Sequence, residues 1–161
     1  MTIEEYITCK KIIERKRRPS FKLENRHYRM DVALKCPDSS ARMSMFLRKS
    51  VDFIEDFSVG LKLEGPNEFL EYTIVLVRYQ GPHGGQSTTG MMEDLHNSYH
   101  IHEYTQKDFD CRRKRASYKG TSEFSSFEEA VVLFMKRCNI EDPNGIFDEE
   151  MNLVNQVRMD I

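Results

Sequence analysis

The sequence lacks several features that would assign it to a familiar class at once. No apolar run approaches the roughly 20 residues that span a bilayer, and the acidic N-terminus does not have the basic and apolar regions of a secretory signal. Phosphate-loop, nucleophile-elbow and HExxH motifs are also missing. The sequence therefore predicts a soluble, cytoplasmic chain without a membrane partner and gives no sign of those three enzyme families.

The cysteines are too widely spaced for a metal knuckle. Cys9, Cys36, Cys111 and Cys138 contain no CxxC pair, the spacing of zinc and redox motifs. A chain of this size buries enough surface to fold without disulfides. We expect four reduced thiols, as in a cytoplasmic protein.

Neither sign of charge dominates. The 161 residues include 24 basic and 26 acidic side chains, a net charge of −2. This balance argues against a surface wholly devoted to nucleic acid or membrane, although local basic patches remain possible. The length suits one domain, and the chain shows no repeat, low-complexity segment or linker.

Alternating apolar and polar residues predict a mostly antiparallel sheet. The predicted strands are Tyr28–Leu34, Met43–Arg48, Phe57–Leu63, a central strand Tyr72–Tyr79, and Tyr99–Tyr104. Short turns between them favour hairpins, and helical periodicity appears near both ends. The sequence therefore predicts a single α+β domain over 1–161, with about five strands packed against N-terminal and C-terminal helices. Its predicted parts are a helix at 1–18, the sheet within 21–119, a packing helix at 125–139, and a tail or weak helix at 141–161.

Histidine is concentrated in one short stretch. His83, His96, His100 and His102 fall within twenty residues, directly after Arg78. If the strands at 72–79 and 99–104 pair, the segment between them closes a hairpin. Strand parity then places His100 and His102 on one face. We expect the candidate site here.

Acid–base chemistry is the first interpretation of this cluster. Histidine titrates nearest to cellular pH, so His100 and His102 are assigned as acid and base of a phosphodiester cleavage. Arg78 would stabilise the phosphoryl charge and His83 would position the substrate. The remaining predicted substrate-binding residues, for RNA or a nucleotide, are Tyr79, Arg112, Arg113 and Arg115.

Two other interpretations stay open. No cofactor is predicted, but zinc or manganese could be held by His83, His96, His100 and His102, with Asp94 or Glu93 as a carboxylate ligand. Alternatively, a His-x-His strand can simply pack and hydrogen-bond to the main chain. The spacing alone does not separate these alternatives.

Several short motifs resemble a domain-of-unknown-function family of small bacterial and phage proteins. The matching segments, within about 57–140, are Phe57–Leu61, Val77–Gly84, His100–His102, Ser126–Ala130 and Cys138–Ile140. More distantly, the chain resembles toxins of TumE-type toxin–antitoxin pairs, which also combine a Gly-Pro-His turn, a His-x-His strand and a final helix. The resemblance implies Arg78, His83, His100 and His102 as site residues and brings no established activity.

The sequence therefore favours a small phosphodiester-acting, RNase-like toxin or mobile-element effector. The alternative is a non-catalytic phage or mobile-element protein that binds and inhibits a host defence complex, using the sheet and the 141–161 tail. Its nine methionines and seventeen Phe and Tyr residues suit such an interaction module. Oligomeric state and partner identity are left open.

Overall fold

The protein is an α+β fold built on an antiparallel sheet. The computed structural model describes residues 1–67, 70–83 and 98–159, apart from the side chains of 158 and 159. In these ranges the strands of the main sheet are β2 (Lys22–Glu24), β3 (His27–Leu34), β4 (Met43–Ser50), β5 (Phe57–Leu63), β6 (Ile74–Gln80), β7 (His100–Glu103) and β8 (Ser117–Gly120). They lie in sequence order across the sheet. Every neighbouring pair is antiparallel.

Among the residues that the structure describes, the main sheet has seven strands, more than the five or so predicted. The five predicted strands correspond to β3–β7, and the additional ones are the short edge strands β2 and β8. Both edge strands are mostly exposed, so they carry no apolar alternation that the sequence could reveal. Their pairing with β3 and β7 extends the sheet on each side.

The N-terminal helix is shorter than predicted, so the helix expected over 1–18 is wrong beyond its first turns. Helix α1 (Ile3–Thr8) begins with a capping box of Thr2 and Glu5, and ends at Cys9, which is extended. The chain then forms β1 (Lys11–Ile12), which pairs in parallel with β9 (Ile140–Glu141). The fully buried Lys11 explains this ending, because its Nζ donates to the carbonyls of Ile7, Cys9 and Cys138 at 2.7, 2.8 and 2.9 Å.

The other helices of the described ranges are α2 (Gln106–Asp110), α3 (Phe127–Arg137) and α4 (Asp148–Met159). Helix α3 confirms the predicted packing helix, with Ser126 as its N-cap and Phe127, Val131 and Phe134 buried on one face. The sequence predicts a loop or a poor strand over 108–119, whereas the structure has the end of helix α2 and strand β8 there. Across the described ranges, we find no helix with the length and apolar character needed to cross a membrane.

The core lies between one face of the sheet and helices α1 and α3. Strand side chains alternate, so Val32, Leu47, Val59 and Tyr79 point into this core with the buried helix residues. The opposite side of the sheet, called the outer face below, carries the intervening residues. The outer face therefore holds the polar and charged side chains of the central strands.

Candidate functional site: a histidine and arginine cluster on the outer face

Strand pairing places the predicted site residues side by side. Antiparallel pairing of β6 and β7 sets Arg78 opposite His102 and Gln80 opposite His100. On the other side of β7, Tyr118 of β8 lies opposite His102. Paired residues on one sheet face are neighbours, since adjacent strands are about 4.8 Å apart. The predicted pairing of these strands, with both histidines on one face, is confirmed.

Three imidazole rings follow one another on the outer face. The ring centre of His100 is 5.4 Å from that of His83 and 5.1 Å from that of His102. Tyr118 continues the series, with its ring centre 4.8 Å from that of His102. Rings this close can exchange protons through a bound hydroxyl or water. The cluster thus unites three of the four histidines that the sequence singled out.

The three histidines differ in exposure. His100 is fully buried, at 0% exposure, whereas His83 and His102 are half-buried. The Nδ1 of His100 lies 2.9 Å from the Ser98 carbonyl, and a neutral ring with its proton there would donate to that oxygen. Such a contact fixes the orientation of the ring. The rings of His83 and His102 are therefore partly exposed on the outer face and that of His100 is not, while Nε2 is a buried atom in both His100 and His102.

Arg78 supplies a fixed positive charge beside His102. Its guanidinium carbon lies 5.3 Å from the ring centre of Phe46, a cation–π distance. Burial lowers the pKa of Arg78, and the charges of Arg48, Arg115 and Arg29 lower it further. An arginine nevertheless remains protonated at neutral pH. The site therefore combines titratable imidazoles with a permanent cation held among other cations.

The outer face continues past Arg78 into a second group of residues that sequence reasoning missed. Ser58 of β5 lies opposite Arg48 of β4, which in turn lies opposite Arg29 of β3. These side chains surround a hollow of about 130 Å³ beside Arg78. The alternation of side chains along each strand could have revealed them, because each of these residues lies at one of the positions that alternate with the apolar core positions.

Tyr79, predicted to bind substrate, and Tyr104, at the end of the predicted fifth strand, both lie away from the histidines. Tyr79 is buried on the core face, where its ring stacks on Phe124 at 5.1 Å, and burial raises its pKa. Tyr104 is also buried, and its hydroxyl donates to the main-chain carbonyl of Arg113. The structure therefore places neither tyrosine with the histidines. Tyr118, which the sequence did not single out, is the tyrosine that contacts the cluster.

The basic segment after α2 is divided in its roles. Arg113 pairs with the buried carboxylate of Asp108, their closest atoms 3.2 Å apart. Arg112 is exposed with a left-handed backbone, φ 54°. Arg115 is exposed and lies close enough for its charge to lower the pKa of Arg78. Among the predicted substrate-binding arginines, Arg115 is thus the one that the structure links electrostatically to the site.

A metal centre involving His96, Glu93 or Asp94 falls outside the described residues, as does most of the segment after the Gly-Pro-His turn. Within 1–67, 70–83 and 98–159, no three His, Cys, Asp or Glu side chains are grouped so that they could hold a metal ion. Binding of zinc or manganese stays a prediction.

In comparisons with known proteins, no family model, curated protein or solved structure matches the chain. The resemblance to the bacterial and phage family and to TumE-type toxins therefore stays a prediction. The function proposed below is based on the geometry of the outer face.

Proposed function

We propose that this protein cleaves phosphodiester bonds at the outer face of its sheet, with RNA as substrate. The observation that carries the proposal is the pairing of β6 with β7, which sets Arg78 directly opposite His102, whose ring neighbours that of His100, which in turn neighbours that of His83. Imidazoles that titrate near neutrality, next to a permanent cation, are the groups that phosphoryl transfer requires. The class is that of a metal-independent, RNase-like acid–base enzyme.

The reaction needs only groups present in this cluster. One imidazole takes the proton from the 2′-hydroxyl, whose oxygen forms a bond to phosphorus. The bond from phosphorus to the 5′-oxygen breaks, and a protonated imidazole donates its proton to that leaving oxygen. Arg78 stabilises the negative charge that accumulates on the phosphoryl oxygens during the transfer. The products are a cyclic phosphate end and a free 5′-hydroxyl.

Exposure refines the roles of the histidines. The sequence assigned acid and base to His100 and His102, and substrate positioning to His83. Since His100 is fully buried while the other two are half-buried, we assign the proton transfers to His102 and His83. His100 lies between them and would act as a positioning residue that holds both rings in place. We also propose that the protein acts as a toxin or as a mobile-element effector.

The test is cleavage of RNA and of cyclic nucleotides by the purified chain, with and without EDTA. We expect His102→Ala and His83→Ala to lower the cleavage rate by about 10²- to 10⁴-fold, the usual contribution of a general acid or base. His100→Asn should flatten or shift the pH profile as well as lower the rate. Cleavage that survives in His102→Ala would refute the proposal, and loss of activity in EDTA would replace it with a metal-dependent mechanism.

His27→Ala is the matched control. His27 is the remaining histidine of the described ranges and lies at the start of β3, where its Nδ1 contacts the Asn25 carbonyl at 3.0 Å. Three strands separate β3 from β7, so this residue is remote from the cluster. We expect its replacement to leave the cleavage rate unchanged.

A second candidate function, inhibition of a host protein complex, is favoured by exposed apolar side chains. In the β4–β5 turn, Phe53 and Ile54 are 64% and 85% exposed, and on α4 Val157 is 63% exposed. Such groups suit a protein interface. A stoichiometric complex that is lost in Ile54→Asp, together with no turnover of any nucleotide substrate, would favour this function over cleavage.

A further inference from the structure

The outer face contains a second site beside the histidines, defined here as the arginine hollow. It is lined by residues of β3 to β6, chiefly Arg29, Phe46, Arg48, Ser58, Lys62 and Arg78. Phe46 contacts two of the cations, with Arg78 and Lys62 lying 5.3 and 5.6 Å from its ring centre. The aromatic ring thereby fixes the positions of both charges. The result is a preformed cavity of about 130 Å³ with cationic walls.

Positive charge in the hollow is only partly neutralised. Asp31 contacts Arg29 at 3.1 Å and Lys62 at 3.4 Å. In the part of the chain that the structure describes, neither Arg48 nor Arg78 forms an ion pair with a carboxylate. The hollow therefore has more cations than anions, an arrangement that is costly unless a negative ligand binds there.

Three polar atoms of the residues that line the hollow are buried without a hydrogen-bond partner among the described residues. They are Nε of Arg48, Nε of Arg78 and Oγ of Ser58, whose side chain is only 1% exposed. Leaving a buried donor unsatisfied costs about 1–3 kcal/mol, and more for a charged group. Each of these atoms can donate a hydrogen bond. A ligand that brings several negatively charged acceptor oxygens is the chemical complement of the set.

We propose that the arginine hollow binds a second phosphate group of the substrate, on the same strand as the one that is cleaved. Arg48 on β4 and Ser58 on β5 are three and two strands from β7, roughly 14 and 10 Å by strand spacing. Oxygens of the phosphate at His102 cannot span that distance. The substrate is therefore a polynucleotide, and this assignment rests on the proposed cleavage activity, whereas phosphate binding in the hollow does not.

Phosphate binding is tested first, without reference to cleavage. The full chain is titrated with inorganic phosphate at constant ionic strength, and the arginine Nε–H resonances are followed by NMR. We expect Arg48→Gln to weaken phosphate binding by about tenfold or more, which corresponds to the loss of a charge-assisted hydrogen bond. Ser58→Ala should weaken it less, and Arg48→Lys, which keeps the charge, should fall between wild type and Arg48→Gln.

Arg42→Gln is the control for this titration. Arg42 has an 85% exposed side chain paired with Glu64, outside the hollow. This variant should bind phosphate as the wild type does. Phosphate should also raise the Tm of the wild type and of Arg42→Gln but not of Arg48→Gln, because a ligand stabilises the state that binds it. Equal phosphate affinity in the wild type and Arg48→Gln would overturn the hollow as a binding site.

The polynucleotide assignment is tested by comparing two substrates. An RNA oligonucleotide carries the second phosphate, whereas a 2′,3′-cyclic mononucleotide does not. Arg48→Gln should raise KM for the oligonucleotide several-fold with little change in kcat, and should leave cyclic nucleotide hydrolysis unaffected. An equal effect on both substrates would overturn the assignment. If phosphate binds in the hollow while the wild type cleaves no RNA, the proposed function fails and the phosphate site stands.

Discussion

Gly60 determines the shape of the outer face at the scale of a single residue. A Cβ atom at this position would lie 2.2 Å from Cε1 and Cζ of Phe46 on the neighbouring strand. Only glycine allows the aromatic ring to lie across β5 at this point, and that ring contacts Arg78 and Lys62. Glycine disfavours strand structure, but at this position of β5 it leaves the space that the Phe46 ring needs.

Gly60→Ala should therefore destabilise the protein, although alanine in a strand is ordinarily the better residue. We expect a loss of about 1–3 kcal/mol in the free energy of unfolding, the usual effect of overpacking, measured by urea denaturation. The displaced ring should also weaken phosphate binding in the arginine hollow. Unchanged stability with unchanged phosphate affinity would show that Phe46 is not held by this contact.

Some residues of the site could be predicted from the sequence and others could not. Parity correctly put His100 and His102 on one face, because it depends only on the geometry of a strand. The same parity points Tyr79 away from its neighbour Arg78, so the prediction that Tyr79 binds substrate is wrong, and its ring packs against Phe124 in the core. Arg48 could not be connected with Arg78 from sequence, since they meet only through the registers of β4, β5 and β6.

At the scale of elements, the central hairpins were predictable and the edges were not. Strands β3 to β7 alternate or are strongly apolar, so local pattern was sufficient. The parallel pairing of β1 with β9 joins Lys11 to Ile140, across most of the chain. No local pattern signals such a contact. The helix predicted over 1–18 instead ends after Thr8, because Lys11 is drawn into buried contacts with main-chain carbonyls.

Two elements are positioned for covalent connection. Cys9 ends α1 and Cys36 follows β3, and their Sγ atoms are 3.1 Å apart. We expect diamide to join them in a disulfide, with both thiols oxidised and diamide reduced. Closing this loop of 27 residues should stabilise the fold by roughly 3–4 kcal/mol on a chain-entropy basis.

Thiol alkylation followed by mass spectrometry would detect the bond, and urea denaturation would measure its effect. Burial and the contact with Cys36 raise the pKa of Cys9 to about 11, so the reaction should be faster in alkaline buffer. Cys111→Ser, which changes an exposed thiol, should behave as the wild type, whereas Cys36→Ser should show no cross-link. Failure of the wild type to cross-link would contradict the expected proximity.

For the whole molecule, buried acids predict a loss of stability in alkaline solution. Burial is the main reason that the pKa values of Cys138 and Tyr104 are raised to about 12. Their ordinary pKa values are 9.0 for the thiol and 10.0 for the phenol. The unfolded chain loses these protons first, so it binds fewer protons than the native state between about pH 9 and 12. Stability therefore falls as pH rises through this window. Lys11, whose pKa is lowered by burial, opposes the trend.

Urea denaturation under reducing conditions should give a lower midpoint near pH 10 than near pH 8. Cys138→Ala should reduce the difference between the two midpoints, whatever its effect on absolute stability, because it removes one of the shifted acids. A denaturation midpoint that rises with pH would contradict this prediction, and it would show that the effect of Lys11 on stability exceeds that of Cys138 and Tyr104.

The placement of α1 and α3 on one side of the sheet has a consequence for how this protein can diverge. Along β6, Val77 and Tyr79 maintain the fold, while Arg78 and Gln80 face the other way. Selection can therefore alter ligand preference at every second position without rebuilding the interior. Descendants of such a chain would share their apolar skeleton long after their outward chemistry had ceased to look alike.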